Sequence, residues 1–471
     1  MSDPIFEPNA GPRVHFMGIG GVSMQGLARW YRAEGFAVSG CDAVDGPVLA
    51  ALREEGIAVS LGHDPCHLDD DVDLLVTTMA VPTDHPEVRR AHERGIAVRP
   101  RISLLADLFE RRSAIGVTGT HGKSTTTGML SALFLAAGVD PSIQLGASLP
   151  SLHGNMRHGA GPHLVAEVDE SDPGFADLRA AVAVVTNLED DHVAGEFDER
   201  RNYHASLADL QTAARRFALG APRLLYCADW PGLDGLFAEH PAAARYGFMP
   251  DADYRVEALV LEPAGASFAL ALPDGRRADV HLRVPGRHNV SNAAAALAAS
   301  DLAGLDAVAL APALAEFAGV GRRWQVWGHV AGAEVVDDYA HHPTEVHATL
   351  TAARASGRRV RAVLQPHRWV RTARLWPQLA DAAALADEVL VLDVYAAGEN
   401  AIPGVDVDRI VTRLRAAGRD AARHTLDSAV AHLRASLRPD DLILTLGAGD
   451  VWRVAQALVA GTELEGDHGA S

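Results

Sequence analysis

From residue 13 the chain alternates short apolar runs with longer stretches in which apolar residues recur every three or four positions. RVHFMG (13–18) is of strand length and stops at GIGG, SMQGLARWYRAEG has helical spacing, and FAVSGCD (36–42) is a second strand-like run that ends in an acid. This is a β-α-β pattern. DLLVTT (73–78) and GIAVRP (95–100) continue the alternation with helical stretches between them, which predicts a parallel, doubly wound sheet.

A second block starts near residue 105. SAIGVTG (113–119) reads as a strand that runs into a Gly-Lys-Ser turn and a helix to about residue 138, and HLVAEVD (163–169) and AVAVVTNL (181–188) read as further strands. YRVEALVL, ASFALAL and ADVHLRV, between 254 and 284, are separated by Pro-Ala-Gly and Pro-Asp-Gly turns and predict antiparallel strands, so this sheet is expected to be mixed. An Ala-rich helix over 289–304 closes the block. A third opens after GVGRRW (319–324), with strands at GAEVVDD, RVRAVLQ, EVLVLDV and DLILTLG, again alternating with helices. The expected fold is α/β in three domains, at 1–105, 106–320 and 321–471: an N-terminal Rossmann-like domain, a central phosphate-loop domain with a mixed sheet, and a C-terminal Rossmann-like domain. At 471 residues each can bury its own core.

Charge narrows the range of partners. Lys and Arg total 42 against 61 Asp and Glu, a net charge of −19, which disfavours non-specific attraction to nucleic acid or an anionic membrane. An anionic ligand must then be held by local groups. Cys41, Cys66 and Cys227 form no Cys-x-x-Cys pair, so neither a disulfide framework nor a zinc ribbon is expected, and a reducing cytoplasm fits. The stretch MSDPIFEPNAGPR is acidic and holds no apolar run of signal-peptide length, and no apolar run reaches membrane-spanning length.

Two glycine turns carry the first candidate chemistry. GIGG (18–21) lies between a strand and a helix, where a diphosphate meets backbone N–H groups. Ser23 occupies the position of the third glycine of the dinucleotide fingerprint, so a nicotinamide cofactor is one option among nucleotides, and a plain strand-to-helix turn is another. Asp42, at the end of the next strand, is placed for a ribose hydroxyl or a base edge. In GVTGTHGKSTTTGML (116–130), the first glycine of the common phosphate loop would stand at Val117, but the upstream glycine is Gly119. The loop is shorter, with its chemistry intact: Gly119 and Gly122 admit phosphate oxygens to the backbone, Lys123 brings a cation, and Ser124 can ligate Mg²⁺.

Acid-rich strand ends follow. EVDESD (167–172) taken alone is a solvated turn or a hard-cation site; beside a phosphate loop the cation site is the better reading, with Glu167 nearest the sheet. NLEDDH (187–192) adds His192 as a possible imidazole ligand, and two such strand ends argue for two metal ions. In GRHNVSNAAAA, Asn289 is a candidate N-cap and Asn292 is placed for a base edge. Arg322 and Arg323 are surface arginines or groups that reach a γ-phosphate. In DDYAHHPTE (337–345), Pro343 suits the first helical position, and His341 and His342 suit polar substrate contact better than a shared metal. Arg368 and Arg371 share one face of a helix start, as a solvated basic face or as a carboxylate grip.

Taken in order, GIGGVSM, GTHGKSTTT, EVDESD, TNLEDDH, HNVSNAAAA, GRRW, DDYAHHPTE, QPHRWVRT and LDVYAAGE resemble the signature series of the Mur ligase family, from about residue 13 to 455. The resemblance implies an N-terminal domain for a UDP moiety, a central ATPase domain, and a C-terminal domain that binds an amino acid. It points to the branch that joins L-alanine to the lactyl carboxylate of UDP-N-acetylmuramate through an acyl phosphate, with ATP hydrolysed, in peptidoglycan precursor synthesis. It places Lys123, Glu167 and His192 in catalysis and Ser124, Glu167 and His192 on Mg²⁺ or Mn²⁺, two ions in all. ATP falls to Gly119, Thr120, His121, Gly122, Lys123, Ser124, Thr125, Asn292, Arg323 and Asp338. The UDP-sugar falls to Gly18, Gly20, Gly21, Ser23, Met24, Asp42, Asn155 and Arg157, and L-alanine to Tyr339, His341, Arg368 and Arg371.

A cytoplasmic monomer or homodimer acting on small molecules is expected, without nucleic acid or membrane insertion. The departures are Ser124 where Thr is usual, ESDPGF in the acidic loop, and Cys41 where Ser is common. The alternatives are a murein tripeptide recycling ligase, an NAD-dependent oxidoreductase built on GIGG and Asp42, and a non-catalytic nucleotide switch.

Overall fold

The computed structural model describes residues 11–68, 71–78, 81–152, 154–191, 193 and 204–461. The chain divides into two compact units. The first runs to Arg255 and adds Ala271–Ala278 and Asn292–Ala313; the second comprises Val256–Leu270, Asp279–Ser291 and the chain from Leu314.

The first unit opens with five parallel strands, β1 (Arg13–Met17), β2 (Ala37–Asp42), β3 (Ala58–Leu61), β4 (Leu74–Thr77) and β5 (Ala97–Pro100), in the order β3-β2-β1-β4-β5. The order reverses between β1 and β4, so the turn after β1 opens at the switch point where such sheets take ligands. Helix Val22–Ala33 lays Met24, Leu27, Ala28 and Tyr31 on the sheet, the three-and-four spacing of one helical face. Each large apolar side chain buried there contributes about 1.5–3 kcal/mol.

A second sheet of this unit holds β6 (Ser113–Thr118), β7 (Ser142–Leu149), β8 (Gly154–Arg157), β9 (His163–Glu167), β10 (Val182–Val185), β11 (Arg223–Cys227) and β12 (Ala243–Gly247). Their order is β12-β11-β10-β6-β9-β7-β8, parallel except that β8 runs against β7, so the sheet is mixed as expected. Central β6 lies between β10 and β9. Its neighbours therefore end beside the Gly-Lys-Ser turn. The division between the two units falls within β13 (Tyr254–Glu262), β14 (Gly265–Ala271) and β15 (Arg277–Leu282).

The second unit carries β16 (Gln325–Val330), β17 (Ala333–Asp338), β18 (Arg359–Leu364), β19 (Glu388–Val391), β20 (Asp420–Arg423) and β21 (Asp441–Leu446), in the order β16-β17-β21-β18-β19-β20. Only β16 is antiparallel. Separate apolar clusters built on Val336, Val360 and Leu444, and on Val335, Val363 and Ile443, cover the two faces, which is why these strands read as continuous apolar runs. The Ala-rich helix spans Arg287–Leu302, so Asn289 lies inside its first turn and donates to Pro285 O at 2.7 Å instead of capping it. Among the described residues no helix is long and apolar enough to cross a membrane.

Candidate active site

In the first unit, β6, β9 and β10 deliver three loops to one edge. The loop after β6 turns at Gly119 (φ +130°), where a Cβ would fall 2.2 Å from Thr186 Oγ1, and at Gly122 (φ +82°), where a Cβ would fall 2.5 Å from Asn292 Oδ1. Only glycine fits either conformation. The residues after β10 clamp this turn: Thr120 N–H and His121 N–H donate to Asn187 O (3.0 Å) and Asn187 Oδ1 (2.7 Å), and His121 O accepts from Thr186 Oγ1 and Asn187 Nδ2. Glu189 N–H donates to Thr120 Oγ1, and the Glu189 carboxylate lies 2.8 Å from His121 Nε2. A short phosphate loop is thus held rigid by its neighbouring strand's end.

Lys123 starts helix Lys123–Ala136 and folds back over the turn. Its ammonium donates to Gly119 O (2.6 Å) and Thr120 O (3.1 Å) and pairs with Glu170 Oε2 at 2.7 Å. Burial works against its charge, but the carboxylates of Glu170, Asp169 and Glu167 outweigh that and hold its pKa above the usual lysine value. It stays cationic. Ser124 Oγ donates to Glu167 Oε1 at 3.0 Å, while Gly146 N–H donates to Glu167 Oε2 at 2.7 Å. A hydroxyl and a carboxylate side by side at a helix start beside a lysine form an all-oxygen donor set that fits Mg²⁺. Thr125 is buried in the next position, and Thr126 Oγ1 donates to Asn292 Oδ1 at 3.2 Å, which brings Asn292 against Gly122. His192 lies outside the described residues.

At the other glycine turn, Gly18 N–H and Ile19 N–H donate to Cys41 O (2.8 and 3.0 Å), and Gly20 N–H donates to Asp42 Oδ2 (2.8 Å). Asp42 also accepts from Val44 N–H at 3.2 Å, so its carboxylate shapes this turn. Gly21 caps the helix that carries Ser23 and Met24 without a side-chain cap, leaving the first N–H groups for an anion. The Asn155 amide donates to Val22 O (2.9 Å) and Leu145 O (3.1 Å), tying that helix start to β7. Arg157 is engaged by Asp140 and by Pro141 O at 2.7 Å.

In the second unit, Asp338 ends β17 and accepts from Trp324 N–H (2.8 Å) and Ala340 N–H (2.9 Å). Burial pushes its pKa up to about 6, against the pull of Arg323 and these two N–H groups. The native state therefore binds more protons than the unfolded chain between about pH 4 and 6, and this group's stabilisation, full below pH 4, is lost as pH rises through 6. Denaturant titrations of wild type and Asp338→Asn are expected to diverge across that window, the wild type losing up to about 3 kcal/mol relative to the variant. Parallel curves would contradict the raised pKa.

Arg322 (φ +58°) donates to Asp337 Oδ2 (2.9 Å), Gly447 O (2.7 Å) and Gly449 O (3.0 Å), and both Arg322 and Arg323 stack on the Tyr339 ring at 5.1 and 5.0 Å. Arg322 is thus a brace, and Arg323 pairs with Glu345 at 3.3 Å. Helix Pro343–Arg354 starts at Pro343 as expected, with His342 and Glu345 forming a capping box. His341 Nδ1 lies 2.9 Å from Tyr339 O, and the His341 and His367 rings are 5.5 Å apart. Arg371 Nη1 reaches His367 Nδ1 at 3.1 Å, while Arg368 (φ +69°) is ion-paired with buried Glu399, which also accepts from Val370 N–H at 3.1 Å.

Tyr339, His341, His367 and Arg371 therefore form one linked set. Sequence reading passed over Glu170, Asn187 and Glu399. Glu170 and Glu399 stood inside quoted motifs, but only the fold shows that they are buried partners of cations.

Three family models match the chain in sequence: Mur ligase family, catalytic domain, over residues 13–113; Mur ligase middle domain, over 117–300; and Mur ligase, glutamate ligase domain, over 322–449. The UDP-N-acetylmuramate–L-alanine ligase of Deinococcus radiodurans is 44% identical, covering 97% of this chain and 95% of the relative. The enzyme of that name from Acidothermus cellulolyticus is also 44% identical, over 93% and 92%. The solved UDP-N-acetylmuramate-alanine ligase of Thermotoga maritima superposes with a TM-score of 0.80 at 29% identity, covering 95% of this chain and 98% of its own. A murein peptide ligase from Psychrobacter arcticus shares the fold, with a TM-score of 0.70 at 24% identity.

Proposed function

The chain belongs to the Mur ligase family, and from that premise we propose that it joins L-alanine to the lactyl carboxylate of UDP-N-acetylmuramate, with ATP converted to ADP and phosphate through an acyl phosphate. The observation that carries this reading is the cluster of cationic Lys123 with the Ser124 and Glu167 oxygens, on a chain 44% identical over nearly its whole length to relatives named for that reaction. A second reading, the tripeptide recycling ligase, has the fold in common with the Psychrobacter arcticus murein peptide ligase, which is 24% identical.

The chemistry follows from the donors. A carboxylate is a poor acyl donor, so one of its oxygens first takes the γ-phosphoryl group while ADP leaves. Lys123 and the uncapped N–H groups at the start of helix Lys123–Ala136, just past Gly122, stabilise the charge that gathers on the transferring phosphoryl. Mg²⁺, when bound at Ser124 and Glu167, neutralises phosphate charge; we add a second ion and His192 to that set as part of the proposal. The alanine amine then attacks the acyl carbon, the C–N bond forms, the C–O bond to phosphate breaks, and the ammonium proton is lost.

We assign ATP contacts to Asn292, Arg323 and Asp338, the alanine carboxylate to Arg371 and Arg368 with Tyr339 and His341 beside it, and the UDP moiety to the turn at Gly18, Gly20 and Gly21 with Ser23, Met24, Asp42, Asn155 and Arg157. The proposal keeps domain boundaries at 105 and 320, a cytoplasmic location, and a monomer or homodimer.

Phosphate release in the presence of UDP-N-acetylmuramate is expected to be fastest with L-alanine, compared with glycine, L-serine and the recycling tripeptide. Preference for the tripeptide would move the reading to the recycling ligase. Arg371→Ala is expected to raise the apparent KM for L-alanine about 10–100-fold, the loss of one hydrogen bond to a charged partner, with a smaller change in kcat. An unchanged KM would remove Arg371 from the carboxylate grip.

A further inference from the structure

Four side chains from four elements of the first sheet's region converge on one point: His15 in β1, Cys41 in β2, His67 in the 3₁₀ turn Pro65–His67, and Glu87 in the first turn of helix Pro86–Glu93. Each offers a donor atom, and all four lie within 4.8 Å of one another. Glu87 and Cys41 are wholly buried, His15 is 2% exposed, and His67 is half-buried at the rim.

Hydrogen bonding leaves one ring nitrogen of this cluster without a partner. Glu87 is met by His67 Nδ1 at 3.1 Å from Oε1 and by the Cys41 thiol at 3.5 and 3.6 Å from its two oxygens. His15 Nδ1 is taken by Ser39 Oγ at 2.9 Å, and its Nε2 is buried with no hydrogen-bond partner among the described residues. A buried imidazole nitrogen left unpaired is destabilising, so something is gained by keeping it. His63 Nδ1, 3.2 Å from Cys41 Sγ, is a fifth donor at the edge.

We propose that His15, Cys41, His67 and Glu87 bind one divalent transition-metal ion of the zinc class. Two imidazoles, a thiolate and a carboxylate are the borderline-soft set that zinc takes, unlike the all-oxygen set at Ser124 and Glu167. Tetrahedral zinc bonds place donor atoms roughly 3.3–3.8 Å apart, so pairs as much as 4.8 Å apart close by about 1–1.5 Å on binding. The thiol proton leaves to solvent as the Cys41 S–metal bond forms.

The ion would brace the nucleotide turn. The Cys41 carbonyl accepts from Gly18 N–H and Ile19 N–H, and the next residue's carboxylate accepts from Gly20 N–H. This inference does not depend on the ligase reading.

Co²⁺ titration of the metal-stripped full-length chain tests it, because a thiolate–Co²⁺ charge-transfer absorption reports a sulfur ligand and the oxygen site gives none. The expected result is a band that saturates at one Co²⁺ per chain, is displaced by Zn²⁺, disappears in Cys41→Ser, and persists in Cys66→Ser and Cys227→Ser. His67→Asn, whose side-chain oxygen can still accept from Asp64 N–H in the turn, is expected to keep the fold and weaken Co²⁺ binding by more than about 10-fold, which carries the test should Cys41→Ser misfold. Absence of the band in the wild type, its survival in Cys41→Ser, its loss in Cys66→Ser, or unchanged affinity in His67→Asn would overturn the proposal.

Discussion

Lys123→Ala is expected to abolish ATP-dependent phosphate release, by at least about 10³-fold, while UDP-sugar binding persists. The ammonium sits on the glycine turn through the Gly119 and Thr120 carbonyls, so it is held where the terminal phosphates of ATP would meet the loop's amides. The variant also strands the buried Glu170 carboxylate, a cost of about 3–5 kcal/mol that could unfold the loop by itself. Lys123→Ala combined with Glu170→Gln removes that cost. The double variant is expected to regain thermal stability without regaining turnover, whereas turnover restored in the double variant would show that Lys123 acts through folding alone.

Glu167→Gln is the second large effect. The amide keeps the size of the carboxylate, can still accept from Gly146 N–H, and can donate to Ser124 Oγ, so the loop geometry survives. What it loses is the negative oxygen that a hard cation requires. Turnover at saturating ATP is expected to fall about 10²–10³-fold, with a higher Mg²⁺ concentration needed for half-maximal rate. A Mg²⁺ dependence identical to wild type, at any turnover, would take Glu167 out of the metal site.

Much of this was legible in the sequence because it rests on local patterns. Apolar runs of both-face-covered parallel strands such as β6, β10 and β21 stand out, and the spacing of Gly119, Gly122 and Lys123 encodes a turn that only glycine can make. The short edge strands β3 (AVSL) and β20 (DAAR) did not stand out, because half-exposed four-residue strands carry no apolar excess. The apolar pattern places the helix start at Asn289, two residues late; the loop at Gly286 lets the helix begin at Arg287, so Asn289 falls inside the first turn.

Partnership was harder to read than position. Glu170 is 3 residues beyond Glu167 and looked like one of several acids, yet it is wholly buried against Lys123 while Glu167 faces Ser124. Asp42, expected at a ribose hydroxyl or a base edge, also shapes the turn through Gly20 and Val44. Arg368 was paired with Arg371 by helical spacing, but its φ of +69° and the Glu399 carboxylate give it a different setting from Arg371, which leans on His367. The pairings of Gly20 with Asp42, Arg368 with Glu399 and Lys123 with Glu170 join residues 22, 31 and 47 positions apart, beyond the reach of any local pattern.

The central claim is that the lactyl carboxylate is activated by phosphorylation before the amine attacks. Supplying UDP-N-acetylmuramate with its lactyl carboxylate labelled in both oxygens by ¹⁸O, together with ATP and L-alanine, tests it directly. The account predicts that each phosphate released carries one ¹⁸O atom and that the amide product retains the other; phosphate without label, formed at the same rate as the product, would contradict it.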